Sequence, residues 1–309
     1  MLFESLAIIG GLIGLVWSAD RFVAGAASLA FNFGMSAMMI GLTIVSIGTS
    51  APEILVAISA SLSGSGSLAI GNAVGSNIAN IGLVLAVTAL IAPIPIAKRI
   101  FNMEAPFLIA VTVLTIFLLY DLELSRLDGV ILLVLIPVFL WLVSRTNGVQ
   151  DDGDIEQTST AKAVAWFIVS LIVLVASAQV LVWGAQGVAR SFGISELIIG
   201  LTIVAVGTSL PELAASIASA LKGHHDIALG NVIGSNIFNL LAVVSVPGLI
   251  APLAIEPSAL SRDLMLMAAL TLGLVAWCAV ALKGQRKRVG RSFGITALSC
   301  YIGYYFLLI

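Results

Sequence analysis

Charged residues are scarce in this chain. Asp, Glu, Lys and Arg make up 10% of the 309 residues, whereas 60% are hydrophobic. Soluble domains carry about a quarter charged residues, so this composition excludes a soluble fold. Apolar stretches of about 20 residues recur along the chain, and each is long enough to cross a bilayer as a helix. The composition predicts an all-α polytopic membrane protein in contact with lipid, with no nucleic acid and no obligate protein as partner.

Cysteine and histidine are also rare, with two of each. Cys278 and Cys300 lie in apolar runs, and we interpret both as small core side chains rather than as a disulfide or metal-binding pair. The apolar stretches contain no His-containing metal motif, Ser/His pair or Cys nucleophile. These absences argue against an enzyme and against a bound cofactor.

Charged and Gly/Pro-rich breaks divide the chain into about ten spans. The predicted spans cover residues 3–31, 36–62, 68–92, 104–120 and 126–143, then 162–190, 195–221, 227–250, 260–282 and 290–308. Between the two groups of five lies a short hydrophilic linker, 144–161, with four acidic residues. The predicted organisation is therefore a first repeat (1–143), the linker, and a second repeat (162–309).

The basic residues orient these spans. Ten of the 14 Lys and Arg residues lie in loops after odd-numbered spans, and three lie in loops after even-numbered ones. The positive-inside rule then places both termini outside and the linker in the cytoplasm. The remaining basic residue, Arg21, lies within the first span beside Asp20, and we interpret the two as a local ion pair or an interface anchor. Because each repeat has five spans, the second must enter the membrane from the opposite side, as in the inverted repeats of secondary transporters.

One polar phrase occurs twice in this apolar sequence, at an offset of 159 residues. GLTIVSIGTSAPE (41–53) and GLTIVAVGTSLPE (200–212) agree at ten of 13 positions, and GNAVGSNIAN (71–80) matches GNVIGSNIFN (230–239) at the same offset. Each copy keeps one glutamate, Glu53 or Glu212, where an ionisable group is costly and marks function. The chain is a duplication, and the pattern predicts one buried cation site built from both halves.

The residues around each glutamate supply hard oxygen ligands. Pro52 and Pro211 interrupt their helices and release carbonyl groups, which membrane proteins tolerate only where an ion, water or protein satisfies them. Hydroxyl groups precede each glutamate by three and four residues, and so share its helix face: Thr49, Ser50, Thr208 and Ser209. Carboxylate, hydroxyl and carbonyl oxygens suit Ca²⁺ and Na⁺ rather than soft metals.

The next helix of each repeat adds amide and hydroxyl groups spaced by four. These residues are Asn72, Ser76 and Asn80 in the first copy, and Asn231, Ser235 and Asn239 in the second. Such side chains either bind the ion or only hydrogen-bond across a helix interface, and the spacing alone leaves both interpretations open.

The paired motifs GTSAPE/GNAVGSNIAN and GTSLPE/GNVIGSNIFN resemble the α-1 and α-2 repeats of the sodium/calcium exchangers, within the Ca²⁺/cation antiporter superfamily. The resemblance extends over the whole chain in span number and order. It implies ten helices, of which the second, third, seventh and eighth form a central ion-binding bundle. It also implies that the long first and sixth helices, about 5–33 and 164–192, slide across this bundle to alternate access.

Carried over position by position, the resemblance implies that Glu53 and Glu212 bind Ca²⁺ with the Thr49 and Thr208 carbonyls. Na⁺ sites around them would be completed by hydroxyls and by backbone near two further positions: Ser50, Ser76, Ser209, Ser235, Ser46 and Ala205. Many family members have Asp where this chain has Asn239, and the amide here argues against K⁺ co-transport. The TSxPE phrase differs from the GNAxE phrase of proton/calcium exchangers, which favours Na⁺ as the counter-ion.

The resulting expectation is a Na⁺/Ca²⁺ antiporter of a bacterial-type inner membrane, with Ca²⁺ and Na⁺ as its transported ions. Two carboxylates are neutralised by one Ca²⁺ or by two Na⁺, so the two ions should exclude each other from the site. Three alternatives remain: an H⁺-coupled Ca²⁺ or other divalent-cation antiporter, a passive channel, and an intramembrane enzyme that uses the paired glutamates.

Overall fold

The computed structural model of the chain describes residues 1–96, 98–101, 103–145, 158–194, 203, 205–284 and 287–308, and most of them are helical. The helices are α1 Leu2–Asn32, α2 Ala37–Thr49, α3 Ala51–Leu62, α4 Gly66–Ile91, α5 Glu104–Leu118, α6 Arg126–Ser144, α7 Thr160–Ser191, α8 Ala205–Thr208, α9 Leu210–Leu221, α10 His225–Ile250, α11 Ala259–Lys283 and α12 Arg291–Leu308. Wider π-helical segments occur at Gly41–Val45, Asn80–Leu85, Asn239–Val243 and Ala259–Leu264, and Lys98–Phe101 forms a 3₁₀ turn.

Within the described residues, six helices are long and apolar enough to cross a membrane, and α2 with α3 make a seventh if the bent pair is one span. Helices α5 and α9 are apolar but shorter. Where the structure describes them, the helix ends lie within a few residues of the predicted span ends. The predicted start of the seventh span, residues 195–202 and 204, and most of the linker, 146–157, lie outside the described residues.

Helices α4 and α10 form the centre of the protein. Of their most apolar 18-residue windows, 72% and 94% of residues are buried, against 22% in α1 and in α7. A helix that is apolar all round must be covered by other helices or by lipid. The outward faces of α1 and α7 are accordingly apolar and contact the bilayer, whereas α4 and α10 carry the polar motif residues into the interior.

Helices α1 and α7 occupy equivalent places in the two repeats and pack against each other in opposite directions. Gly11 lies against the backbone of Leu181, and the ring of Phe22 stacks on that of Phe167 with 4.8 Å between centroids. Residues later in α1 therefore contact residues earlier in α7, so the two helices are antiparallel. Equivalent helices that run antiparallel are what inverted repeats require.

Four two-residue strands tie the halves together. Strand β1 (Ile94–Pro95) pairs with β4 (Arg288–Val289), and β2 (Glu123–Leu124) pairs with β3 (Leu253–Ala254), both antiparallel. Strands β1 and β3 are separated by the repeat offset of 159 residues and β2 and β4 by 165, so each repeat contributes corresponding strands to the other. This reciprocal exchange is the pattern that a two-fold relation between the halves produces.

Two sequence-based interpretations are wrong, the Asp20–Arg21 ion pair and the core position of Cys300, whereas an interface anchor at Asp20 and Arg21 stays a prediction. Asp20 does not pair with Arg21: its carboxylate lies 2.8 Å from the Lys222 ammonium, and the Arg21 guanidinium lies over the Trp166 ring. Successive helical residues point in different directions, so neighbours in sequence are poorly placed to pair. Cys300 is exposed rather than part of the core, although Cys278 is buried.

Replacement of Lys222 by Ala should lower the free energy of unfolding by no more than about 1 kcal/mol, because the Asp20–Lys222 pair is partly exposed and ion pairs of this kind contribute little. Thermal unfolding of the purified protein in detergent measures this change. A loss of more than about 2 kcal/mol would contradict the expectation, and Lys283→Ala, a change to another lysine at a helix end, serves as the control.

Candidate ion-binding site

Each copy of the doubled motif interrupts a helix at its serine. Helices α2 and α3 are bent by 43° at Ser50, and in the second copy α8 ends at Thr208 and α9 begins at Leu210. The two serines have nearly the same non-helical backbone, with φ, ψ of −84°, 3° at Ser50 and −90°, 4° at Ser209. Pro52 and Pro211 follow in the first turn of the new helix, where a missing N–H costs nothing. The interruption thus occurs at the predicted place in both copies.

The two glutamates lie in the first turns of α3 and α9, and both are buried. The positive end of each helix dipole favours a carboxylate there. The carboxylates are within electrostatic reach of each other, and that of Glu212 also interacts with the side chain of Thr49 from the other repeat. One oxygen of each carboxylate, Oε2, has no hydrogen-bond partner among the described residues.

The serine hydroxyls at the two breaks are also buried without a hydrogen-bond partner among the described residues. They are the Oγ atoms of Ser50 and Ser209. Buried polar atoms are normally paired, and exceptions call for a specific cause such as an ion site. The two breaks therefore bring together a set of oxygen atoms that can receive a hard cation.

Asn231 is held by the protein on both sides of its amide. Its Oδ1 accepts a hydrogen bond from the Thr49 hydroxyl at 3.1 Å, and its Nδ2 donates to the Ser216 hydroxyl at 3.1 Å. The Ser235 hydroxyl lies 3.4 Å from the same threonine oxygen. These contacts favour an interface role for Asn231, between α10 and the two interrupted helices. Ser216 was not predicted, because its counterpart in the first repeat is Ala57 and the duplication gave no signal.

The first copy is arranged differently. Asn72 is half-buried, and its Nδ2 has no partner among the described residues. Thr208 lines a cavity, and Ser76 is buried. The hydroxyl of Ser46 donates to carbonyls of its own helix, at 2.8 Å to Leu42 and 3.1 Å to Thr43.

In the second copy, Ala205 begins α8. The preceding part of the second motif, Gly200–Val204, lies outside the described residues except for Ile203.

Four asparagines meet where α4 crosses α10. Asn80 and Asn239 were predicted from their spacing, whereas Asn77 and Asn236 were not. The Asn80 amide donates to Asn236 Oδ1 at 3.1 Å, and the Asn239 amide donates to Asn77 Oδ1 at 3.0 Å. Each bond is the counterpart of the other under the repeat offset. The signal was available in the sequence, since both missed residues belong to the GSN of the doubled phrase.

A cavity of about 460 Å³ opens between α3 and α7 and reaches both breaks. Pro52, Pro211 and Thr208 line it, and the α7 wall includes Gln179 and Gln186. On the equivalent face of the other repeat, α1 packs directly on α9. A cavity therefore borders the two breaks at the α3–α7 face, whereas helix packing covers the α1–α9 face. Glu53, Glu212, Ser50 and Ser209 are themselves buried.

Comparison with known proteins finds a family model, relatives and a solved structure that match most or all of this chain. The family model described as sodium/calcium exchanger protein matches residues 4–145 and 162–309. The putative antiporter CaxA of Alkalimonas amylolytica is 46% identical over 100% of this chain and 99% of its own length, and the inner membrane protein YrbG of Escherichia coli is 40% identical over 90% of each. The structure of the sodium-calcium exchanger NCX_Mj, soaked with Na⁺ and without Ca²⁺, superposes with a TM-score of 0.86 at 34% identity, over 100% of this chain and 99% of that one.

Proposed function

The chain belongs to the sodium/calcium exchanger family and is an integral membrane cation antiporter rather than an enzyme, and from this premise we propose that it exchanges Na⁺ for Ca²⁺ at the site formed by Glu53 and Glu212. The observation that carries the proposal is the set of unpartnered buried oxygens at the two helix breaks. It includes one carboxylate oxygen from each glutamate and the hydroxyls of Ser50 and Ser209. An oxygen-only set with two negative charges is suited to Ca²⁺ and Na⁺ as substrates.

Exchange follows from the charge of this site. One Ca²⁺ or two Na⁺ neutralise the two carboxylates, so each ion displaces the other. An empty pair of buried carboxylates is strongly unfavourable, because neither water nor a counter-charge compensates them. The protein therefore changes its accessible side with ions bound, and an empty site does not return and dissipate the gradient.

The ligand set is proposed in two groups. Glu53, Glu212, Ser50 and Ser209 bind the ions directly, together with the backbone of Thr49, Thr208, Ser46 and Ala205. Ser76 and Ser235 extend the Na⁺ sites, and Asn80 and Asn239 supply amide carbonyls. Asn231 holds the helices together, because both ends of its amide are engaged by protein.

The arrangement of the repeats supports alternating access. Residues 1–143 and 162–309 are proposed as inverted repeats, joined by the cytoplasmic linker 144–161, with both termini outside a bacterial-type inner membrane. In this orientation the cavity between α3 and α7 opens outward, since it lies toward the end of α7 that is distant from the linker. The α1–α9 face is the equivalent route to the cytoplasm, and it is closed when the outer route is open.

Uptake of ⁴⁵Ca²⁺ into proteoliposomes loaded with Na⁺ and diluted into Na⁺-free buffer should exceed uptake into choline-loaded vesicles at least tenfold, because outward Na⁺ movement supplies the driving force. A driving force of about 1.4 kcal/mol already corresponds to a factor of ten. Vesicles subjected to a pH jump without Na⁺ form the second comparison. Uptake that follows the pH gradient and ignores Na⁺ would show that H⁺ is the counter-ion, and uptake without any counter-ion would show a channel.

A further inference from the structure

The four asparagines at the crossing of α4 and α10 are completely enclosed. Asn77, Asn80, Asn236 and Asn239 are each no more than 2% exposed. A buried primary amide has two donors and one acceptor oxygen to satisfy, and leaving them unpaired destabilises the fold. The pairing of these four side chains therefore shows which of their atoms are used by the protein and which remain available.

The orientation of Asn77 is determined by its own donor. Its Nδ2 lies 3.1 Å from the backbone carbonyl of Asn236 and 3.6 Å from the sulfur of Met267. A flipped amide would place its oxygen against that carbonyl, so the hydrogen-bond network selects one orientation. In this orientation Asn77 Oδ1 can accept the bond from Asn239.

The counterpart pair keeps the bond between the two asparagines but lacks the donor contact that anchors Asn77. Asn236 Oδ1 accepts from the Asn80 amide, while Asn236 Nδ2 has no partner in the described part of the chain. As a result the nitrogen side of both Asn80 and Asn239 faces another asparagine. Their Oδ1 atoms are buried and have no hydrogen-bond partner among the described residues.

The segments that carry these two carbonyl groups pack against the helices of the proposed ion site. The segment that begins at Asn80 packs against α9, which carries Glu212, and the segment that begins at Asn239 packs against α3, which carries Glu53. If the asparagines served only to join helices, their acceptors would be expected to be paired as well, because half-satisfied buried networks are unfavourable.

We propose that Asn77 and Asn236 are positioning residues that act through their neighbours: Asn236 holds the amide of Asn80, and Asn77 holds that of Asn239, so that two neutral carbonyl oxygens face the transported cation. This inference rests on the proposed function. Because both bonds require a donor at positions 80 and 239, the arrangement also keeps those ligands uncharged and the site at two negative charges.

The test is a double-mutant cycle read by equilibrium ⁴⁵Ca²⁺ binding to the purified protein in detergent. Asn236→Leu should weaken Ca²⁺ binding about tenfold in an otherwise unchanged chain, because the Asn80 amide loses its partner and its fixed orientation. In an Asn80→Leu background the same change should have no further effect, since the residue through which it acts is gone. In an Asn239→Leu background the tenfold loss should persist.

Two further variants keep the result interpretable. Asn236→Asp preserves the acceptor and should bind Ca²⁺ at least ten times more tightly than Asn236→Leu. Thr88→Val removes a buried hydroxyl of α4 that, among the described residues, donates to the carbonyl of Val84 in its own helix, and it should leave Ca²⁺ affinity unchanged. If Asn236→Leu does not fold, the cycle is measured with Asn236→Ala.

A tenfold loss that is the same with and without Asn80 would overturn the inference, as would no loss at all. Failure of the proposed function has a different signature. In that case Glu53→Gln and Glu212→Gln would retain Ca²⁺ binding, or the unchanged protein would show no Na⁺-dependent uptake.

Discussion

Replacement of Glu53 or Glu212 by Gln is expected to reduce Na⁺-driven ⁴⁵Ca²⁺ uptake at least about 100-fold. Glutamine keeps the shape of the side chain but removes one of the two negative charges, so a bound Ca²⁺ is left with an uncompensated positive charge in a buried site. Removing one member of a buried charged pair costs about 3–5 kcal/mol, and about 3 kcal/mol already corresponds to more than 100-fold in affinity. Initial uptake rates in Na⁺-loaded proteoliposomes measure the effect.

Glu123→Gln is the matched control for these variants. Glu123 lies in β2 and is exposed, so its replacement should leave uptake within a factor of about two of the unchanged protein. Size-exclusion chromatography compares the folded state of the purified variants before equal amounts are reconstituted. Full Na⁺-driven uptake by either glutamine variant would remove that glutamate from the transport site.

The burial of both glutamates could be predicted because the physical reason is local. A carboxyl group in an apolar helix is costly wherever that helix packs, and its repetition after a second TSxP phrase indicated a shared role. The breaks at Ser50 and Ser209 followed from the same residues, since proline and its small polar neighbours weaken one turn of helix. Burial and breaks could therefore be derived from short stretches of sequence.

The side chains that contact each other across the two repeats could not be derived in this way. A spacing of four selected the helix face of Asn72, Ser76 and Asn80, but the crossing of α4 and α10 also places Asn77 against the other repeat. Which face meets a partner depends on the crossing angle of two helices that are distant in sequence. The Asp20–Lys222 pair joins helices that are equally distant in sequence.

The sequence also could not predict which face of the site borders a cavity and which is covered by packed helices. The motif is nearly the same in both repeats, and a symmetric pattern carries no sign of which route is open. The structure is asymmetric: Thr49 is enclosed by Asn231 and Ser235, whereas Thr208 borders a cavity. A transporter built from two equivalent halves reaches two states by exchanging these environments, and one structure shows one of them.

Gly234→Ala is expected to lower Na⁺-driven uptake between about tenfold and about 100-fold, because α10 and α2 are in contact through this residue. A Cβ atom at position 234 would lie 2.6 Å from the carbonyl oxygen of Leu42 and 2.6 Å from the hydroxyl of Ser46. Either the helices separate, or Ser46 loses its bond to Leu42. Overpacking of this kind costs about 1–3 kcal/mol, so the thermal unfolding temperature in detergent should fall as well.

The loss of uptake should exceed what lower stability alone produces, since the contact lies next to the site. Gly234 precedes Ser235, which lies 3.4 Å from the Thr49 hydroxyl, and separation of the helices would open that contact. Gly273→Ala in α11 is the control, because no described atom lies within 4 Å of a Cβ there and Ala stabilises a helix by about 1 kcal/mol relative to Gly. If both variants transport like the unchanged protein, close approach of α10 and α2 is not required for ion exchange. If only Gly234→Ala loses uptake, and restoring its stability with lipid does not recover transport, the spacing of these two helices sets the geometry of the site.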